Sequence, residues 1–143
     1  MKKIILCLVL ASFSGLVLAS GRVQIPVQSD SIAPHTSATV PLMGTTIIAT
    51  DASTWIEYNI TCTVISSMTD TFLSWAPANS MGSPYQYKTN GQSTGSAIKL
   101  AKGLNTLEIQ GVFYSDLIFN NIDNTGKVTI KQCYADPIMS NKK

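Results

Sequence analysis

From Trp55 to Ile65 apolar and polar residues alternate almost without a break. Ile56, Tyr58, Ile60, Cys62 and Val64 fall in one phase, and Glu57, Asn59, Thr61 and Thr63 in the other. A period of two marks a strand with one buried face, because successive side chains leave a pleated backbone on opposite sides. The threonines and valine agree with that reading, since β-branched side chains suit a pleated surface and crowd a helix interior. Cys62 therefore starts on the core face. No segment offers a sustained 3.6-residue apolar stripe. The best helix candidate, Tyr114 to Asn120, carries Phe and Ile that serve a strand equally well.

The rest of the chain follows the same pattern in shorter pieces. Arg22 to Val27 alternates as an edge strand does, and Pro26 and Pro34 keep the polar lead-in Ser20 to Thr39 out of helices and central strands. Thr39-Val40, Thr45 to Thr50 and Thr69 to Trp75 are further strand candidates, with Leu73 and Trp75 on one face. Ala76 to Ser96, broken by Pro77, Gly82, Pro84, Gly91 and Gly95, is expected to be a long loop around a short strand at Tyr85 to Lys88. Ser96 to Leu100 and Leu104 to Phe113 read as a hairpin joined by Ala101-Lys102-Gly103. Asp116 to Ile122 and Lys127 to Tyr134 read as a second pair around Asp123-Asn124-Thr125-Gly126. Short strands at this spacing predict an all-β chain with a single antiparallel β-sandwich, jelly-roll-like in its more specific form.

Residues 1–19 predict a secretory signal peptide: Lys2 and Lys3, then an apolar run from Ile4 to Leu18, then Ala19 at the cleavage position. The expected product is one domain, residues 20–143, exported to a bacterial periplasm or secreted, with no membrane insertion of the mature chain. Cleavage removes Cys7 and leaves Cys62 and Cys133, an even pair that an oxidising compartment is expected to join. It also removes Lys2 and Lys3 from the 10 Lys+Arg, so that the remainder balances the 8 Asp+Glu. A neutral chain without a basic stripe gives no reason to expect nucleic acid as a partner.

The catalytic inventory is thin. His35, the single histidine, lies beside Pro34 in the lead-in and reads as a solvated side chain, and no cofactor or metal motif is present. Asp116, Asn120 and the 123–126 turn offer oxygen ligands without the spacing of a calcium loop. Glu57 and Glu108, on the outer phases of two strands, are the best pair for glycoside hydrolysis if the strands are neighbours. The expectation is a non-catalytic binding or surface-interaction domain for a carbohydrate or protein partner. A structural subunit of a secreted assembly and a small hydrolase are the alternatives. Trp55, Asn79, Tyr85, Tyr87 and Asn90 are the expected ligand contacts, flat rings interspersed with amides. The thirteen residues Ala97 to Ile109 also resemble the hairpin of carbohydrate-binding jelly rolls, although no sugar-binding residue carries over from that likeness.

Overall fold

The computed structural model describes residues 21–27, 31–49, 56–78 and 83–138. Among these residues the regular elements are strands: β1 Val23–Ile25, β2 Ser31–Ile32, β3 Ser37–Val40, β4 Tyr58–Ser66, β5 Thr71–Pro77, β6 Ser83–Thr89, β7 Gln92–Thr94, β8 Ala97–Leu100, β9 Gly103–Val112, β10 Leu117–Asn121 and β11 Val128–Pro137. No helix of the described residues is long and apolar enough to cross a membrane. The large sheet runs β1-β11-β4-β9-β6-β7, with β2 also pairing β11, and the small sheet runs β3-β10-β5-β8. Count β1 and β2 as one interrupted strand and set the β6–β7 hairpin aside. The remaining strands then run 1-8-3-6 in one sheet and 2-7-4-5 in the other, which is the order of a jelly roll.

The inner faces meet in one apolar cluster. Tyr58, Ile60, Cys62 and Val64 of β4, beside Leu107 and Ile109 of β9 in the same sheet, face Leu73 and Trp75 of β5 and Leu117 and Phe119 of β10 in the other. Trp75 is fully buried; it stacks on Phe119 at 5.5 Å and meets Tyr87 edge-on at 5.6 Å. The lead-in is part of this structure, since it forms β1, β2 and β3 and buries Ile25 and Ile32. Tyr114 to Asn120 enters β10 as a strand rather than a helix.

Both expected hairpins are arches between sheets. β8 pairs β5 in the small sheet while β9 pairs β4 and β6 in the large one; likewise β10 belongs to the small sheet and β11 to the large. Alternation specifies which side of a strand faces the core, and two consecutive strands meet that requirement equally well when they face each other across it. The likeness of Ala97 to Ile109 to a sugar-binding hairpin therefore fails on topology. Buried asparagines do the work of a hairpin ladder at these arches. Asn105 Nδ2 donates to the carbonyls of Ala101 and Gly103, and its Oδ1 accepts from Ala101 N. Asn121 Nδ2 donates to the carbonyls of Ile32 and Gly126, and its Oδ1 accepts from Asp123 N.

Cys62 and Cys133 are joined, at directly opposed positions of β4 and β11, and both are fully buried. Val128 and Ile130 also face inward, which strict alternation would forbid for Cys133. A bulge between Ile130 and Gln132 inserts the extra residue and restores the phase. The bond thus lies within one sheet and not at an end where the two sheets separate.

The expected long loop at Ala76 to Ser96 is largely strand. β6 joins the edge of β9, and β7 returns along it through Asn90-Gly91, whose φ angles of 51° and 79° suit a two-residue hairpin turn. Asn-Gly between two β-prone segments is the strongest short hairpin signal available. The prolines and glycines around it obscured that signal.

Candidate functional site

Of the expected ligand contacts, Trp55 and Asn79 lie outside the described residues, and the other three serve different ends. Tyr85 is 58% exposed and donates its hydroxyl to Glu57 at 3.1 Å. A bulge between Pro84 and Gln86 takes it out of register with Tyr87, which is half-buried against Trp75 in the core. Burial raises the pKa of both phenols, and in Tyr85 the bond to Glu57 adds to the effect. Asn90 is committed to the turn: its Nδ2 donates to Asn105 Oδ1 and its Oδ1 accepts from Thr106 N. Tyr85, Tyr87 and Asn90 therefore do not converge on one groove.

The register instead assembles a surface that no single segment announces. On the outer face of the large sheet, Gln86, Gln110, Asn59 and Asp136 stand in one transverse row across β6, β9, β4 and β11. Lys88, Glu108, Thr61 and Tyr134 form the next row. Most of these side chains are half-buried, because each leans on its neighbours across the strands. Arg22 closes one side, donating through Nε and Nη2 to the two carboxylate oxygens of Asp136 at 2.9 and 3.1 Å and lying 3.9 Å over the Tyr134 ring. The hydrogen bond to Asp136 is the main reason its pKa is raised. Asn59 Oδ1 is covered and has no hydrogen-bond partner. Tyr85 stands at the opposite side of the face, and neighbouring-strand spacing sets β6 about 14 Å from β11.

The same register separates the two glutamates of the hydrolase alternative. Glu108 is opposite Thr61, whereas Glu57 lies four residues earlier on the β4 side. Strand rise sets their backbones about 14 Å apart along the sheet, and the Glu57 carboxylate is engaged by the Tyr85 hydroxyl.

Other candidate residues stabilise turns. Asp123 accepts from the backbone N–H groups of Thr125, Gly126 and Phe72, and the bonds from Gly126 and Thr125 are the leading causes that lower its pKa. Asp116 Oδ1 accepts from Leu42 N and Met43 N, both at 2.7 Å. His35 is exposed and pairs with Asn124 Oδ1 at 3.0 Å. Among the described residues no group of three or more His, Cys, Asp or Glu is placed to hold a metal ion.

Gln86, Gln110, Arg22, Tyr134 and Asp136 were not singled out from the sequence, because each is an ordinary outer-face residue until pairing aligns it with the others. The Asn90-Gly91 turn was the one local clue that could have fixed the β6 register. Comparison with family models, with curated proteins and with solved structures finds no match to this chain.

Proposed function

We propose that the chain is an exported, non-catalytic recognition module that binds a hydroxyl-rich ligand, a glycan surface, on the outer face of its large sheet. The observation that carries this reading is the pair of transverse rows. They present three amides, two carboxylates, an ammonium, a hydroxyl and the Arg22–Tyr134 stack on one continuous plane. Such a plane offers alternating donors and acceptors to hydroxyl pairs, and its groups are held by neighbours rather than ordered at the moment of binding. Export follows from residues 1–19, and the buried Cys62–Cys133 bond supports an oxidising compartment.

Binding to immobilised glycans, followed by amide chemical-shift mapping with the strongest hit, tests the reading. Saturable binding with shifts clustered on Asn59, Gln86, Gln110 and Tyr134 is expected. Gln110→Ala is expected to weaken binding about tenfold while leaving the melting temperature nearly unchanged, as an outer-face truncation should. Absence of any glycan binding, or shifts confined elsewhere, would falsify the assignment. Mass spectrometry of the exported product tests the compartment: cleavage before Ser20 is expected, and a retained Met1 on exported protein would contradict it.

A further inference from the structure

The flank of the sandwich formed by β1, β2 and β3 is built differently from the outer face. Two open clefts of about 490 and 380 Å³ meet there at Pro41. Ile25, Val27, Ile32, Ala38 and Ile130 supply an apolar lining, and among the described residues Lys131 is the only charged one lining either cleft.

One wall of this groove presents a strand edge that is unpaired among the described residues. β3 pairs β10 on one side and, among the described residues, no strand on the other. Its sequence, Ser37-Ala38-Thr39-Val40, carries none of the charged or proline residues that usually block an edge. Two other edges are guarded within the strand itself: Lys99 lies in β8, and β7 is three exposed polar residues. On the facing wall, β1 pairs β11 as far as Cys133 and β2 resumes at Thr129. Between these two pairings the bulge turns Lys131 outward.

We propose that this groove receives a single extended peptide segment of another protein, hydrogen-bonded along β3 as an added strand, with an acidic side chain set against Lys131. A second copy of the chain is a poorer occupant. Its own β3 offers four residues, about 13 Å of pairing, far below the area a stable dimer buries. Packed sheets stand about 10 Å apart, room for the side chains of one strand but not for a folded sheet. Charge selects the segment: Lys131 is exposed and has no carboxylate partner among the described residues, and the rest of the lining calls for small apolar and hydroxyl side chains. Main-chain pairing supplies affinity in such additions, and the side-chain positions supply choice.

The test uses the purified chain and two labelled seven-residue peptides of alternating valine and threonine, capped at both ends, one with a central aspartate and one with a central lysine. The aspartate peptide is expected to bind saturably and to protect the β3 amides, Ser37 to Val40, from hydrogen exchange. The lysine peptide is expected to bind about tenfold more weakly. Lys131→Glu, at an exposed position, is expected to reverse that preference with an unchanged melting temperature, and Thr39→Lys to weaken both peptides. Failure of the aspartate peptide to bind, protection outside β3, an unreversed preference in Lys131→Glu, or a dimer through β3 in sedimentation would each overturn the proposal.

Discussion

Asn121 shows how much of this fold rests on single polar side chains. It is buried, and its amide satisfies two carbonyls and one N–H at the β10–β11 arch. Asn121→Ala leaves those groups without a partner, and at about 1–3 kcal/mol per stranded buried group a loss of at least 3 kcal/mol is expected in urea melts. Asn121→Asp is expected to be worse, because it sets a carboxylate oxygen against the carbonyls of Ile32 and Gly126. A loss below 1 kcal/mol in the alanine variant would show that water replaces the amide. Asp123, two residues on, gives a pH dependence with a definite sign. Its folded pKa lies below that of the unfolded chain, so its contribution is complete above the ordinary aspartate range and declines as pH falls through the lowered value. Melting temperatures measured down an acid series should therefore fall less steeply for Asp123→Asn than for the unmodified chain. Equal slopes would remove Asp123 from the account. Asp123 was legible as a turn residue in the sequence. Asn105 and Asn121 were not, because an asparagine in a strand-like segment looks the same whether it faces solvent or closes an arch.

At the level of elements, β11 joins the sequence reading to the structure most directly. Val128 and Ile130 take the inner face and so does Cys133, which an unbroken alternation does not allow. The bulge between Ile130 and Gln132 resolves the conflict. Partners were less legible than faces. Alternation groups Ile98 with Leu100, Leu107 with Ile109 and Val128 with Ile130, all of them buried, yet it carries no information on which sheet each strand joins. A short connector such as Ala101-Lys102-Gly103 permits a hairpin or an arch, and only the facing sheet decides. The disulfide closes a 71-residue separation between strands that are already paired. Replacing both cysteines with alanine is expected to cost about 4 kcal/mol on the chain-entropy account, read as a shift in the urea midpoint. A shift under 1 kcal/mol would indicate an unfolded chain already compact between β4 and β11.

Over the whole molecule, every connection except β1–β2 and β6–β7 changes sheet, so most pairings join strands distant in sequence. The same crossing brings Gln86, Asn59 and Asp136, from three separate parts of the chain, into one row. This is why the outer face could not be read from any local motif, while the all-β class could. The closing feature of that row, the Arg22–Asp136 clamp, also fixes how the domain responds to tension. β1 and β11 run antiparallel, so Arg22 and the end of β11 leave from the same corner. A pull on Gly21 and Ile138 opens β1 from β11 one pair at a time, a geometry of low mechanical resistance. Unravelling then stops at Cys62 from one end and at Cys133 from the other, because the covalent link shields everything between them from the load. In single-molecule stretching the reduced chain should lengthen by about 240 Å more than the oxidised one, the contour of the shielded 71 residues. Oxidised, the domain is a short tether with a hard stop built into its largest sheet.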